Sequence, residues 1–176
     1  VTAREFLRSS PAKSFQPSAV NFLPGPVAVR REVRRAFEQA PESHRAEGFK
    51  ADFQGTKAIL CGLTNAGHVE LLLGSGTLAN DVVGAQLSLL PGRGIVLSNG
   101  EFGLRLADHA RRFKLRFDHL EFPWGEPLNL AVVREKFAHL AAPAWLWCAH
   151  CETSTGVLND LAALKLPTDT ATYVAA

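Results

Sequence analysis

The sequence predicts an α/β fold with a mostly parallel sheet, and two observations support this prediction. Short apolar runs of the length of buried strands alternate with helical stretches of about 10–14 residues. Polar loops at residues 74–77 (GSGT), 98–103 (SNGEFG) and 150–156 (HCETSTG) each follow one of these apolar runs. Because the carboxyl ends of parallel strands meet at one edge of a sheet, we expect these loops to lie together and bind a ligand.

Helices are predicted where apolar residues recur at helical spacing. The first runs from about Arg30 to Gln39 and ends before Pro41, because the residue before a proline disfavours the helical conformation. Further helices are predicted at about residues 49–63, 78–89, 102–113 and 128–140, and another begins at about Leu158.

Strands are predicted at four short runs that are apolar or alternate in polarity. They lie at residues 69–73 (VELLL), 95–97 (IVL), 115–122 (LRFDHLEF) and 144–149 (AWLWCA). We therefore interpret residues 21–165 as the folded domain, and residues 1–20 as a polar lead-in. Residues 166–176 are small, polar and patternless, and are predicted to form an irregular tail.

The composition excludes several classes of protein. With 47% hydrophobic and 20% charged residues, the 176-residue chain resembles a globular domain that buries a core. The net charge of +2 is scattered along the chain, so neither nucleic acid nor an anionic membrane is an expected partner. No apolar run of about twenty residues predicts a membrane span, and the N-terminus lacks the pattern of a secretory signal. We expect a cytoplasmic protein, because the three cysteines are too few for a disulfide framework.

The GSGT loop allows two interpretations, a phosphate-binding site or a capped turn. Glycines allow the backbone to approach a ligand, and a helix N-terminus offers unpaired N–H groups with a partial positive charge, so Ser75, Gly76 and Thr77 suit a phosphate. Alternatively, the loop is a tight turn in which a hydroxyl caps the helix. No Gly-Lys-Ser/Thr follows, so this is not a nucleotide-binding P-loop.

The other two loops carry different chemistry. Phe102, between Gly100 and Gly103, can stack on a planar ligand ring or cover the start of its own helix. The hydroxyl-rich ETSTG segment, which includes Thr153, can bind a polar ligand or form a capped turn. Cys148, His150 and Cys151 suggest a metal or redox site, but a fourth ligand is missing and Cys148 falls within a buried strand. We therefore predict no metal.

Five segments in this order resemble the class V aminotransferases. They are LPGPV at residues 23–27, SHR at 43–45, LLGSGT at 72–77, LSNGEFG at 97–103 and HCETSTG at 150–156. Within this family, the segments are similar to those of alanine–glyoxylate and serine–pyruvate aminotransferases. The resemblance implies the large domain of a fold-type I enzyme, truncated here, with helices on both faces of the sheet. It also implies a pyridoxal 5′-phosphate cofactor and a homodimer.

The resemblance assigns roles to individual residues. Ser75, Gly76 and Thr77 match the loop that holds the cofactor phosphate, and Phe102 matches the aromatic residue that stacks on the pyridine ring. Thr153 matches the hydroxyl residue at the phenolic oxygen of that ring. The segment beside the substrate corresponds to Gly25 and Pro26.

The chain departs from the family after the ETSTG loop. Family members continue with an Asp that pairs with the pyridine nitrogen, the Lys that forms the Schiff base, and an Arg that binds the substrate carboxylate. None of the six lysines matches the catalytic position; they are Lys13, Lys50, Lys57, Lys114, Lys136 and Lys165. Asp169 does not match the family Asp, because it lies in the patternless stretch at residues 166–176 and not on a strand. We therefore expect no catalytic residue in this chain and no activity from it alone.

The resemblance implies transfer of an amino group from a small amino acid, such as alanine or serine, to a 2-oxo acid, such as glyoxylate or pyruvate. Two alternatives remain open at this stage. One is another reaction on the same scaffold, a lyase or desulfurase, which Phe102 disfavours because those relatives often carry His there. The other is a non-catalytic fragment that binds a phosphate ligand or a protein partner.

Overall fold

The computed structural model of the protein describes residue 25 and residues 27–141, 144–164 and 172–175, the last segment by its backbone. The chain divides into two compact units, Val1–Lys50 and Ala51–Ala176. The described part of the first unit contains helix α1 (Arg31–Ala36) and the start of α2 (Glu47–Thr64), which continues into the second unit. None of the helices in the described residues has the length and apolar character to cross a membrane.

The second unit is built on a four-stranded parallel sheet with the strand order β2-β1-β3-β6. Its strands are β1 (Arg93–Ser98), β2 (Phe117–Glu121), β3 (Ala144–Trp147) and β6 (Thr172–Ala175). The helices are α3 (Gly76–Ser88), α4 (Glu101–Arg112) and α5 (Leu130–Ala138). A small antiparallel hairpin joins β4 (Cys151–Glu152) to β5 (Val157–Leu158). The predicted α/β fold with a parallel sheet is confirmed.

Both faces of the sheet are covered, which explains why its central strands are apolar throughout. Successive side chains of a strand point to opposite faces. On one face, Ile95 and Leu97 of β1 pack with Val133 and Phe137 of α5. On the other face, the central strands pack against residues of α3 and α4, in the cluster Leu87, Val96, Leu106, Ala107, Ala110, Trp145 and Trp147. The polar residues that follow β1 and β3 lie in the loops at the carboxyl ends of these strands.

Three segments differ from the prediction, each for a non-local reason. Residues 69–73 were predicted to be a strand but form none, because no described strand lies beside them to pair with their backbone groups. No helix begins at Leu158, because this residue pairs with Cys151 in the β4–β5 hairpin. The segment predicted to be an irregular tail contains β6, which pairs with the edge of β3. Its Thr, Tyr and Val residues favour strand structure.

Candidate active site

Phe102 lies between two hollows at the carboxyl end of the sheet. The first, which we call the α3–α4 hollow, has a volume of about 760 Å³ and is lined by Gly76, Thr77 and several residues of α4. The second, the hairpin hollow, has a volume of about 430 Å³ and is lined by Ala149, Thr153 and their neighbours. Phe102 and Asn80 line both hollows, and the Phe102 side chain is 40% exposed. The structure therefore brings Gly76, Thr77, Phe102 and Thr153 to one place.

The N-terminus of α3 opens into the α3–α4 hollow. Ser75 is the N-cap residue and has an extended backbone, but its side chain makes no capping hydrogen bond. The first helical hydrogen bond of this turn runs from Ala79 N–H to Ser75 O, at 3.2 Å. Hence the N–H groups before Ala79 have no partner within the helix, and they carry the positive end of its dipole. Ser75 itself lines a separate hollow with Leu72 and Leu78, whereas Gly76 lines both.

Phe102 is presented by the first turn of α4, directly after β1. The guanidinium carbon of Arg105 lies 5.2 Å from the centroid of the Phe102 ring, within cation–π distance. Arg105 is held by a hydrogen bond from its Nε to Glu101 Oε1, at 3.0 Å. Arg105 therefore lies against the Phe102 ring, which remains 40% exposed.

Thr153 is the first residue of the turn in the β4–β5 hairpin. Its N–H donates to Cys151 O at 3.1 Å, and Gly156 N–H closes the turn by donating to Glu152 O at 2.9 Å. Gly156 has a φ of +76°, a conformation that favours glycine. The Thr153 side chain is exposed, and it faces the hairpin hollow. Its hydroxyl is thus available to a polar ligand edge.

Glu152, next to Thr153, is fully buried and binds the start of α4. Its carboxylate accepts hydrogen bonds from Phe102 N–H (3.2 Å), Gly103 N–H (2.9 Å) and Ser154, through both N–H and hydroxyl. Burial by itself raises the pKa of Glu152, but these hydrogen bonds outweigh it, so the pKa lies below its usual range. Glu152 therefore remains a carboxylate at neutral pH.

Two buried amide side chains, Asn99 and Asn159, connect the loops that follow β1 and β3. Asn99 Nδ2 donates to Asn159 Oδ1 at 2.9 Å, and Asn159 Nδ2 donates to Ala149 O at 2.8 Å. Asn159 Oδ1 also accepts from Leu128 N–H at 3.2 Å. The loop after β1 is thereby joined to the loop after β3, which fixes the two walls of the hairpin hollow.

A contact between α3 and α4 involves two residues that line the α3–α4 hollow, His109 and Arg112. His109 Nδ1 of α4 lies 2.7 Å from Asp81 Oδ1 of α3, and Arg112 Nη2 lies 3.4 Å from the same oxygen. His109 is almost completely buried, next to the ring of Trp147. This contact holds the N-terminus of α3 at a defined position relative to the Phe102 turn.

Sequence reasoning did not identify Asn80, Arg105 or Glu152. Asn80 follows Thr77 by three residues and Arg105 follows Phe102 by three, a spacing that places each pair on one helix face. That spacing was a usable signal for both residues. Glu152 had no comparable signal, because the N–H groups of α4 that it binds are about fifty positions away in the chain.

The remaining predicted residues are placed as follows. Cys148 is buried, and burial raises the pKa of its thiol to about 12, so it is not a thiolate at neutral pH. Gly25 lies in the first unit and is exposed. Pro26 lies outside the described residues. The substrate-binding role of Gly25 and Pro26 stays a prediction.

Known proteins resemble this chain in both sequence and structure. The alanine–glyoxylate aminotransferase 1 of Saccharomyces cerevisiae is 30% identical over 152 residues, which is 81% of this chain and 39% of that protein. The serine–glyoxylate aminotransferase of Arabidopsis thaliana is 31% identical over 154 residues, 82% of this chain and 37% of that protein. The crystal structure of an alanine–glyoxylate aminotransferase from Nostoc sp. superposes with a TM-score of 0.75 at 25% identity. That superposition covers 92% of this chain and 44% of the solved chain.

The chain is homologous to the class V aminotransferases. It has part of the fold-type I architecture of these enzymes, and it spans about two fifths of the length of the relatives just named. No family model matches the chain. The fold and the family predicted from the five segments are confirmed, and the roles of the individual residues remain to be tested.

Proposed function

We propose that this chain forms the cofactor half of a pyridoxal-phosphate-dependent aminotransferase site. The reaction of the complete enzyme would move an amino group from a small amino acid to glyoxylate or pyruvate. The observation that carries the proposal is the position of Phe102 between an open helix N-terminus and an exposed hydroxyl. Pyridoxal 5′-phosphate carries a phosphate, a flat aromatic ring and a polar ring edge, so these three neighbouring sites match the parts of one molecule.

The residues of the site fit this cofactor. Gly76 and Thr77 offer N–H groups and a hydroxyl at a helix N-terminus that no side-chain cap from Ser75 occupies. Phe102 offers an aromatic face whose ring is already oriented by Arg105. Thr153 offers a hydroxyl in the hairpin hollow, and this hydroxyl would bind the phenolic oxygen of the cofactor ring. Ser75, which lines a separate hollow, contributes through its backbone at the start of α3.

The cofactor, when bound, supplies the electron sink for the reaction, and the protein supplies binding and orientation. Among the described residues, no lysine lines either hollow. We therefore propose that this chain alone binds the cofactor but does not catalyse transamination.

The two alternatives make different predictions. A lyase or desulfurase on this scaffold would need the same cofactor contacts, and Phe102 at the stacking position disfavours it. A non-catalytic fragment would bind a phosphate ligand without selectivity for the pyridine ring.

We also propose that the complete enzyme is cytoplasmic and forms a homodimer. Sedimentation of a longer protein that contains the catalytic lysine would test the dimer, and a monomer would contradict it.

Cofactor binding is tested with pyridoxamine 5′-phosphate, which cannot form an imine with surface lysines. We expect saturable binding, seen as an induced circular dichroism band of the cofactor, and weaker binding after Thr77→Ala and Phe102→Ala. Inorganic phosphate should compete only at much higher concentration. Equal affinity for phosphate and for pyridoxamine 5′-phosphate would instead favour the non-catalytic fragment.

Lysine chemistry is tested by borohydride reduction of the chain with pyridoxal 5′-phosphate, followed by peptide mass mapping. We expect sparse labelling spread over several lysines. Saturable modification of a single lysine at low cofactor concentration would show that a dedicated lysine exists, and the proposal of an inactive chain would be wrong.

A further inference from the structure

The N-termini of α3 and α4 both lie at the candidate site, and they differ in whether side chains from elsewhere in the chain cap them. The N-terminus of α3 receives no side-chain cap from Ser75 and opens into a hollow. The N-cap residue of α4 is Gly100, which has no side chain to cap the helix. The first three N–H groups of α4 nevertheless have partners, because residues of the β4–β5 hairpin reach across to them.

The hairpin supplies these partners through Glu152 and Ser154. Glu101 N–H donates to Ser154 Oγ at 3.0 Å, Phe102 N–H to Glu152 Oε1 at 3.2 Å, and Gly103 N–H to Glu152 Oε2 at 2.9 Å. The Ser154 hydroxyl donates in turn to Glu152 Oε1. A carboxylate at this end of a helix also interacts favourably with the helix dipole.

Close packing shows that this contact is built into the fold. A Cβ atom on Gly100 would lie 2.5 Å from Glu152 Cγ and 2.7 Å from Ser154 Oγ. Glycine at position 100 is thus required by the approach of the Glu152 side chain, since the Gly100 backbone is extended and any residue could adopt it. The carboxylate is also completely buried, so all its hydrogen bonds must come from the protein.

The consequence concerns the two residues that flank the contact. Phe102 donates its own N–H to Glu152, and Thr153 follows Glu152 directly in the chain. One buried side chain therefore contacts the residue that carries the aromatic ring and directly precedes the residue that carries the hydroxyl. We propose that Glu152, assisted by Ser154, is a positioning residue that holds Phe102 and Thr153 at the separation required by the cofactor ring. This inference rests on the proposed function.

The experiment compares three variants by affinity for pyridoxamine 5′-phosphate, by its induced circular dichroism and by melting temperature. Glu152→Gln keeps the shape but replaces one acceptor oxygen with a donor, and Ser154→Ala removes only the bridging hydroxyl. Asn129→Ala is the matched control, because Asn129 also caps a helix, accepting from Ala131 and Val132 N–H groups at 3.1 and 3.3 Å, but lines neither hollow.

We expect Glu152→Gln to weaken binding at least about tenfold, or about 1.4 kcal/mol, and to abolish the induced band. Ser154→Ala should weaken binding by a smaller factor, and it keeps the proposal falsifiable where Glu152→Gln does not fold. Asn129→Ala should lower the melting temperature and leave binding unchanged. Wild-type affinity and an unchanged band in Glu152→Gln would overturn the proposal, and so would an equal loss of affinity in Asn129→Ala.

A second measurement separates failure of this inference from failure of the proposed function. If the wild-type chain does not bind the cofactor, the proposed function is wrong for this chain. Amide hydrogen exchange without cofactor then decides whether Glu152 orders the site. Faster exchange of the Phe102 and Gly103 N–H groups in Glu152→Gln would support the positioning role, and unchanged exchange would overturn it.

Discussion

Gly103 lies where the first turn of α4 crosses the end of β1, and its replacement by alanine tests the packing that places Phe102. A Cβ atom at this position would lie 2.5 Å from Ser98 Cα, 2.7 Å from Ser98 Cβ and 3.0 Å from Leu97 O. Two of these atoms belong to the backbone of a central strand, which cannot move aside. The start of α4 would have to shift away from the sheet instead.

The magnitude follows from two opposing effects. Overpacking of a well-packed site costs about 1–3 kcal/mol, and contact with rigid backbone places this case near the upper end. Replacing a helical glycine by alanine stabilises the helix by about 0.5–1 kcal/mol. We therefore expect Gly103→Ala to lower the free energy of unfolding by about 2 kcal/mol. The shift would also lengthen the hydrogen bond from Gly103 N–H to Glu152 and weaken cofactor binding.

The assay is equilibrium unfolding in urea, followed by far-ultraviolet circular dichroism. Gly62→Ala in α2 is the matched control, because among the described residues no atom outside its own stretch of helix lies within 4 Å of its added Cβ. Since both variants gain the same helix propensity, the difference between their unfolding free energies isolates the clash, at about 3 kcal/mol. If the two variants unfold within about 0.5 kcal/mol of each other, the close approach of α4 to β1 does not constrain the fold.

Further predictions address the thiols, pH, the buried amides and the exposed apolar residues. Cys151 is exposed and should react with iodoacetamide at neutral pH, whereas Cys148 should react only in denaturant, as peptide mapping will show. The pKa of Glu152 is lowered by folding, so its stabilising contribution is present above the unfolded pKa and is lost as the pH falls through the folded pKa. Urea titrations at decreasing pH should show this loss in the wild type and a smaller one in Glu152→Gln. Asn159→Ala should cost about 2–3 kcal/mol, because it leaves several buried groups unpaired, and an unfolding free energy near wild type would contradict that account. Leu73 is fully exposed, so Leu73→Lys should reduce dye binding and aggregation without changing the urea midpoint; a lower midpoint would mean that this side chain is packed.

The sequence alone predicted the parallel sheet, because its central strands are buried on both faces and are therefore continuous apolar runs. It also predicted that the loops after β1 and β3 would meet, since parallel strands place their carboxyl ends at one edge. This reasoning singled out Phe102 and the ETSTG segment as candidates, whereas the particular role of Thr153 came from the family resemblance and stays a prediction. The chemistry of a glycine-rich helix start singled out Gly76 and Thr77. These are properties of local pattern, which a sequence displays directly.

The tertiary structure decided what depends on partners distant in the chain. Whether residues 69–73 or 172–175 form a strand depends on an available neighbouring edge, which no local pattern contains. Glu152 looked like one polar residue among several in the ETSTG segment. Its function as the cap of α4 arises only when the fold brings the hairpin against three N–H groups near position 102. Hydrogen bonds of buried polar groups are satisfied across the whole structure, so their partners become visible only once the chain is folded.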